Sequence, residues 1–169
     1  TLTSAEFKQF IAEESLLKVS KSLVKSTIHR YDYLDLVSVK EFSTDGKLIA
    51  IHQFSGLFTQ IANNLHPNKI PLLNAKLAQI LQQLSLKSES HDYRSFMHIL
   101  AVLPKRELYE SSNEQLLDLA QNIHNLNVRS KSGVFIRENN FDEQVSVLVF
   151  VSKDAFCTDL RDEIENELS

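Results

Sequence analysis

Glycine is scarce in this chain of 169 residues, which contains only Gly46, Gly56 and Gly133, all far apart. Average usage of about 7% would supply several times as many. A loop that cradles a phosphate or a dinucleotide needs closely spaced glycines, because glycine lets the backbone approach the ligand. The sequence therefore lacks the residues for a Rossmann or P-loop nucleotide site.

Cysteine occurs once, at Cys157, so no disulfide can form within the chain. A single thiol is typical of a reducing compartment, and we predict a cytoplasmic location. Apolar runs are far shorter than the roughly 20 residues of a membrane span, and residues 1–4 lack a signal-peptide pattern. The first residue is Thr1 rather than methionine, and we expect the chain to come from a longer polypeptide or to have been trimmed.

Positive charge is also limited, because 18 basic residues stand against 22 acidic ones and the net charge is −4. Such a balance gives neither the broad basic field of a nucleic-acid-binding protein nor a polybasic membrane anchor. We therefore expect no nucleic acid and no membrane as a partner. The apolar fraction of 43% is enough for an ordinary buried core.

The amino-terminal part has the pattern of a short helix followed by strands. A capping-box spacing at residues 3–6 predicts the helix, and residues 16–24 form a possible first strand. Two segments rich in Val, Ile and Phe, Tyr33–Phe42 and residues 47–58, flank an Asp-Gly pair. Gly46 in that pair supplies the positive φ of a hairpin turn, so we predict a β-hairpin here.

The middle of the chain has helical periodicity. Pro71 suits the first turn of a helix, a second helix should end near Pro104, and a short helical turn is predicted over residues 106–109. Ser112 and Gln115 have the spacing of a capping box before a third long helix. The predicted inward positions are Leu73, Leu77, Ile80, Leu81 and Leu84, then Tyr93, Phe96, Met97, Leu100 and Ala101, then Leu116, Leu119, Ala120, Ile123 and Leu126.

The last part of the chain predicts a second hairpin, formed by residues 133–137 and 144–152 and turning at residues 139–140. Thr158 is the predicted cap of a final helix. The fold class is therefore α+β, with two β-hairpin-containing modules flanking a helical block. The predicted modules are residues 1–62, 63–129 and 130–169.

No residue pattern indicates catalysis or metal binding. The six histidines include no close pair such as HxH, and His98 and His124 are expected to face solvent. Cys157 precedes a predicted helix, a position where reactive thiols occur, but no His–Asp pair accompanies it. We therefore predict no catalytic residue, no metal ligand and no cofactor-binding residue in this chain, and interpret Cys157 as a turn residue.

His29 and Arg30 are the best candidates for contact with a ligand. A guanidinium offers two parallel donors to a carboxylate, which an amino-acid or organic-acid effector would present. The alternative is that Arg30 pairs with Asp32, Asp35 or Glu41 and holds the hairpin. We favour this alternative, because ion pairs of that kind are common.

Three blocks of the sequence resemble, in their order and spacing, the amino-terminal region of the large NAD-specific glutamate dehydrogenases of bacteria. The blocks are residues 25–30 with 33–35 and 52–59; residues 70–73 with Lys76 and 90–92; and residues 103–104 and 107–108 with 135–137, 151–154 and 158–161. No block is diagnostic alone, and the resemblance rests on their co-occurrence.

The resemblance implies a regulatory region built of helical motifs and ACT-like (ferredoxin-like) modules, with the dehydrogenase domain elsewhere in the polypeptide. Residues 130–169 would be an incomplete ACT-like module, because a complete one has four strands. The parent enzyme would use NAD to convert L-glutamate to 2-oxoglutarate and ammonia, whereas this chain would be non-catalytic. The implied partners are other domains of the same polypeptide, further copies in a homo-oligomer, and an amino-acid or 2-oxo-acid effector.

Two other functions stay open at this point. The chain could be a stand-alone small-molecule sensor in which the hairpin of residues 33–59 forms the wall of a pocket. It could also be a protein-interaction scaffold without a ligand, since core packing alone accounts for every apolar stripe.

Overall fold

The structure, a computed structural model, describes residues 4–28, 31–129, 131–138 and 145–168. Its elements within these ranges fall into three groups along the chain. The first group is α1 (Ser4–Ala12), β1 (Leu17–Lys25), β2 (Tyr33–Phe42) and β3 (Leu48–Gly56). The second is α2 (Gln60–Asn64), a 3-10 turn (Pro67–Lys69), α3 (Pro71–Gln83), α4 (His91–Val102), α5 (Lys105–Glu110) and α6 (Asn113–Arg129). The third is β4 (Gly133–Glu138), β5 (Val145–Phe150) and α7 (Thr158–Glu167).

The two β-containing groups flank the helices, which confirms the predicted α+β class. Strands β1, β2 and β3 form an antiparallel sheet in that order, and β4 pairs with β5 in a second antiparallel sheet. The first hairpin turns where the Asp-Gly pair predicts, and Gly46 has a φ of 79°. None of the described helices combines the length and apolar character needed to cross a membrane.

Helix α1 lies against one face of the first sheet. Phe10 is fully buried there beside Leu36, with Ile51 packed against both. Lys40 is also buried, and its Nζ donates to the carbonyls of Ile11 and Glu13 where α1 ends. Because the last turn of α1 has no basic residue of its own, Lys40 supplies the positive charge that helix C-termini favour.

The main core lies among α3, α4 and α6. The predicted stripe of α3 is correct, since Leu73, Leu77, Ile80 and Leu81 are all buried. On α4 the prediction omitted Ile99, which is buried beside Phe96 and Leu100. Apolar residues occupy adjacent positions on α4, so periodicity alone could not say which of them faces inward.

Caps set the ends of the helices. Ser112 Oγ accepts from Gln115 N at 3.1 Å while Gln115 Oε1 accepts from Ser112 N at 2.8 Å, which confirms the capping box of α6. At α7 the predicted cap was wrong by one residue. The cap is Cys157, whose Sγ accepts from Leu160 N at 3.4 Å, and Thr158 is the first helical residue.

The prediction that His124 faces solvent was also wrong. His124 is half-buried between α4 and α6. Its ring stacks on Phe96 at 4.8 Å between centroids, and its Nδ1 lies 3.1 Å from Ser95 Oγ. The side chain is off the apolar stripe of α6 but is covered by the neighbouring helix, which periodicity within one helix cannot reveal.

Strands β4 and β5 pack one face onto the helical block. Phe135 and Phe150 pack against the main core, as does Leu148, which lies opposite Phe135 in the ladder. Gly133 lies so close to α6 that a Cβ would stand 2.5 Å from Leu126 Cδ1. The turn predicted at residues 139–140 lies outside the described residues.

The packing predicts that Leu73→Ala and Leu72→Ala, adjacent on α3, will differ sharply. Leu73 is fully buried, so its truncation should lower the free energy of unfolding by about 2–5 kcal/mol. Leu72 is 43% exposed, and its truncation should cost about 0.5 kcal/mol. Urea denaturation followed by circular dichroism measures both, and equal losses would contradict the assigned face of α3.

Candidate functional site

The predicted ligand contact, His29 with Arg30, lies outside the described residues and stays a prediction. The carboxylates proposed as partners of Arg30 have other polar neighbours. Asp35 Oδ1 lies 2.9 Å from Lys21 Nζ. Asp32 Oδ2 lies 3.7 Å from the same Nζ, and Glu41 Oε2 lies 2.6 Å from a ring nitrogen of His52.

A different polar cluster, not predicted, lies where the helical block meets the second sheet. We call it the Glu107 cluster and define it as Arg106, Glu107, Glu110, Arg137 and Ser146. At its centre Glu107 is only 3% exposed. Arg137 donates to both of its carboxylate oxygens, from Nε to Oε2 at 2.9 Å and from Nη2 to Oε1 at 3.1 Å.

Hydroxyl groups from two sides complete the hydrogen bonding of Glu107. Ser146 Oγ donates to Oε1, and Ser111 Oγ donates to Oε2 at 3.4 Å. Within the described ranges, no buried side-chain nitrogen or oxygen is left without a hydrogen-bond partner. The burial of this carboxylate is therefore accompanied by full pairing, which is the condition under which charges persist inside proteins.

The local structure explains how these residues meet. Glu107 lies in the first turn of the short helix α5, which Pro104 precedes and Ser111 ends. Arg137 and Ser146 are directly opposite each other in the β4–β5 ladder, and opposite residues of an antiparallel pair share one face of the sheet. That face also carries Phe135, which packs on the helical core, so the sheet delivers both polar groups to α5.

The charges of the cluster alternate in space. Arg137 Nη2 also donates to Glu110 Oε2 at 2.8 Å, and Glu110 Oε1 accepts from Arg106 Nε at 2.9 Å. The charges of the two guanidinium groups and the two carboxylates therefore cancel, and Glu110 bridges Arg106 and Arg137. Because each contact is a charge-assisted hydrogen bond, the arrangement is directional as well as electrostatic.

Burial alone would raise the pKa of Glu107. Hydrogen bonds from Arg137, Ser146 and Ser111, together with the charge of Arg137, outweigh burial, so the pKa of Glu107 lies below its usual 4.5. Likewise, burial would lower the pKa of Arg137, but its bonds to Glu107 and Glu110 raise that pKa. Both groups are thus charged at neutral pH. A general acid needs a pKa near the working pH, so Glu107 is unsuited to proton transfer.

A half-buried lysine holds α5 from α3. Lys76 on α3 donates from Nζ to Leu108 O at 2.8 Å and to Ser111 O at 2.5 Å. These carbonyls belong to the C-terminal end of α5, where a positive charge is favourable. Burial lowers the pKa of Lys76 to about 8. Helix α5 is therefore fixed to α3 through Lys76 and to the second sheet through Glu107.

Among the open clefts that adjoin the Glu107 cluster, two reach Arg137. One, of about 180 Å³, lies between α5, α6 and the second sheet and reaches Arg137 and Ser146. The other, of about 500 Å³, lies between the first sheet, α5 and β4; its lining includes Lys18, Glu13 and Glu138. Across the described ranges, no group of three or more His, Cys, Asp or Glu side chains is placed to hold a metal ion.

A sequence signal for this cluster did exist. Period-2 alternation along β4 places Arg137 on the same face as the apolar Phe135. The pattern therefore predicts a positive charge on the face of the sheet that packs on the helices. Its partner Glu107 lies 30 residues earlier, and no local pattern connects the two. The pairing of Glu107 with Arg137 could therefore be identified only from the three-dimensional structure.

Comparison with known proteins identifies the two elements that this pair joins. Residues 70–129 match the family model described as glutamate dehydrogenase, helical motif 1. Residues 133–169 match the model described as glutamate dehydrogenase, ACT2 domain. The chain belongs to the glutamate dehydrogenase family. Glu107 lies in the first match and Arg137 in the second, so the buried ion pair connects the helical motif to the ACT2 domain.

Relatives that align with most of the chain belong to the same family as the two matched models. The chain is 31% identical over 156 residues to the NAD-specific glutamate dehydrogenase of Halomonas elongata, an alignment covering 92% of the chain and 10% of that relative. It is 29% identical over 159 residues to the NAD-specific glutamate dehydrogenase of Pseudomonas aeruginosa, covering 94% and 10%. The corresponding enzyme of Mycobacterium tuberculosis is 26% identical over 156 residues, covering 92% and 9%.

The chain thus spans about a tenth of the length of these glutamate dehydrogenases. The resemblance to their amino-terminal, non-catalytic region is confirmed, as is the ACT-like character of the second β-containing part. The division into residues 1–62, 63–129 and 130–169 stays a prediction.

The Glu107 cluster predicts a large effect of Arg137→Met. This change would leave the Glu107 carboxylate buried without its cation, and it should lower the free energy of unfolding by about 3–5 kcal/mol. The matched control is Arg161→Met on α7, whose pairs with Asp162 and Glu165 are exposed and should contribute about 0–1 kcal/mol. Urea denaturation at neutral pH measures both.

The pH dependence gives a second readout of Arg137→Met. In the wild type the stabilisation from ionised Glu107 is complete above pH 4.5 and is lost as pH falls through the lower folded-state pKa. In the variant, protonation relieves the unpaired charge, so the difference between the two proteins should shrink as pH falls. A difference that stays constant with pH would contradict the assigned role of the pair.

Lys76 predicts a further rise of stability with pH, in alkaline solution. Its folded-state pKa of about 8 is below the usual 10.5, so between these values the unfolded chain binds more protons and stability should rise with pH. Lys76→Met should remove this rise and should cost about 1–3 kcal/mol near neutrality, because two carbonyls lose their donor. Denaturation curves of the wild type and the variant at several pH values test this. If the free energies of unfolding of the two proteins change in parallel with pH, Lys76 does not have the assigned pKa.

Proposed function

We propose that this chain is a regulatory and assembly segment of an NAD-dependent glutamate dehydrogenase and has no catalytic activity of its own. The whole enzyme would use NAD to oxidise L-glutamate to 2-oxoglutarate and ammonia, as the names of the relatives suggest. Both matched family models are non-catalytic parts of such enzymes. The single thiol at Cys157 supports a cytoplasmic location for the enzyme.

The observation that carries the regulatory part of the proposal is the buried pair between Glu107 and Arg137. Regulation between sites requires an element with discrete arrangements that both sites influence. A bidentate, fully hydrogen-bonded pair is either formed or broken, because partial displacement leaves a buried charge unpaired. Movement of the ACT2 sheet would therefore move α5, and α5 is fixed to the helical motif through Lys76.

An amino-acid or 2-oxo-acid effector remains part of the proposal. Its predicted contacts are His29 and Arg30, and the cleft of about 500 Å³ is a second place where such a ligand would touch both sheets and α5. Lys18 suits a carboxylate there, while Glu13 and Glu138 suit an ammonium group. An effector in this cleft would favour one arrangement of the Glu107 cluster through its differential affinity.

The first test uses the isolated chain. With L-glutamate and NAD it should produce no NADH beyond a protein-free control. A protein with the same chain embedded in the whole dehydrogenase serves as the active reference. Measurable turnover by the isolated chain would overturn the proposal that it is non-catalytic.

The second test places Arg137→Met and the control Arg161→Met in the whole dehydrogenase. The common amino acids and 2-oxoglutarate are titrated, and initial rates of NADH formation are measured. We expect Arg161→Met to preserve any change in rate with added ligand, and Arg137→Met to abolish it while leaving kcat without ligand within about twofold. An unchanged ligand response in Arg137→Met would reject the coupling role.

A further inference from the structure

We propose that a pocket between α2 and α5 binds a small monocarboxylate with an apolar tail, its carboxylate on Lys105 and its tail beside Tyr109. The inference goes beyond the function proposed above, because it needs neither the coupling through Arg137 nor the cleft of about 500 Å³. It rests on the apolar walls of the pocket, on a cation without a partner at its boundary, and on the pairing of the carboxylates nearby.

The pocket has a volume of about 210 Å³ and lies where the chain passes from the first sheet into the helices. Five of its lining residues are apolar or aromatic, and all five are half-buried: Phe58, Ala62, Leu65, Ile70 and Tyr109. A hydrocarbon group in the pocket would remove their remaining exposed surface from water. Drug-sized ligands fill pockets of about 300–1,000 Å³, so the occupant of this one is smaller.

Local contacts fix the walls of the pocket without any ligand. Thr59 Oγ1 accepts from Ala62 N at 3.2 Å and caps α2, and His66 Nδ1 accepts from the main chain at the start of the 3-10 turn. The rings of Phe58 and Tyr109 stack with their centroids 5.9 Å apart. The pocket is therefore formed in advance, as binding pockets for small molecules usually are.

Lys105, the first residue of α5, lines this pocket and also a polar pocket of about 120 Å³ that adjoins it. Lys21, Lys76 and Arg106 are half-buried too, and each donates to a carboxylate or a carbonyl. In the part of the chain that the structure describes, the amine of Lys105 has neither an ion pair nor a hydrogen bond. Burial lowers its pKa below the usual 10.5. A cation held partly out of water without a partner favours an anion beside it.

The carboxylates that line the polar pocket already have partners. Asp35 Oδ1 lies 2.9 Å from Lys21 Nζ, and its Oδ2 accepts from Phe58 N at 2.9 Å. Asp32 Oδ1 accepts from a main-chain N–H at 2.8 Å, and Glu110 is held by two guanidinium groups. Within the described ranges, the charge without a partner at this place is therefore positive, and the complementary group of a ligand is an anion.

These features select a monocarboxylate over an amino acid and over a dicarboxylate. The ammonium group of an amino acid would lie beside Lys105 and Arg106, where the nearby carboxylates are engaged already. The second carboxylate of a dicarboxylate would lie among apolar walls without a partner, which is costly. A short branched hydrocarbon chain with one carboxylate fits both ends.

A ligand series measured by heteronuclear NMR on the isotope-labelled chain tests the inference near neutral pH. We expect saturable binding of isocaproate, with amide shifts that include Ala62, Leu65 and Tyr109. Isocaproamide has the same tail without the charge and should bind about tenfold more weakly, because it loses a hydrogen bond to a charged group. Leucine and 2-oxoglutarate should be weaker than isocaproate by about tenfold or more.

Substitutions separate the carboxylate contact from the apolar one. Lys105→Met should weaken isocaproate by about tenfold and leave isocaproamide within about twofold, whereas a purely structural effect would weaken both. Ala62→Met should weaken both ligands, because its longer side chain occupies the pocket. The matched control is Lys69→Met on the 3-10 turn, an exposed lysine whose removal changes the net charge equally and should alter neither affinity. The NMR spectrum shows whether each variant is folded.

Two results would overturn the inference: no saturable binding of isocaproate up to about 10 mM, or an affinity for isocaproate that Lys105→Met leaves unchanged. Either result is separate from the coupling test in the whole dehydrogenase. Failure of isocaproate to bind, together with a ligand response that requires Arg137, would reject the pocket and leave the regulatory role intact. Binding that depends on Lys105 without that response would support the pocket alone.

Discussion

The buried pair between Arg137 and Glu107 is the interaction on which the arrangement of the chain depends. Moving a carboxylate and a guanidinium out of water is costly, and only complete hydrogen bonding offsets that cost. Glu107 has this bonding from a strand, from the opposite strand and from the end of its own helix. The apolar contacts of Phe135 and Leu148 hold the sheet against the helices, whereas the ion pair fixes where it sits.

Local signals in the sequence were enough to predict most elements of the fold. The Asp-Gly turn at Gly46, the proline at Pro71 and the Ser112–Gln115 capping box each act within a few residues, and the structure contains all of them. The errors arose where a neighbouring element decides the outcome. His124 is covered by α4, and Ile99 could be assigned to the core only once the positions of the neighbouring helices were known.

The site was less predictable than the fold for the same reason. Residue types singled out for their chemistry, the histidines and Cys157, form no cluster in the described ranges, and the family resemblance rather than any reactive group indicated the function. Glu107 and Arg137 both fall within segments that carry the resemblance, yet a salt bridge across 30 residues leaves no trace in periodicity. Alternation along β4 indicates that Arg137 faces the helices, but it does not indicate that Glu107 is its partner.

Two lysines perform the same task in different parts of the chain. Lys40 caps the C-terminal end of α1 and Lys76 caps that of α5, each by donating from its amine to main-chain carbonyl oxygens. Amine-directed chemistry, such as acetylation or labelling with an activated ester, would therefore convert both donors into neutral amides and uncap two helices. Modification of these two lysines would act on the architecture of the protein, and the time for which each resists labelling would report how firmly its helix end is held.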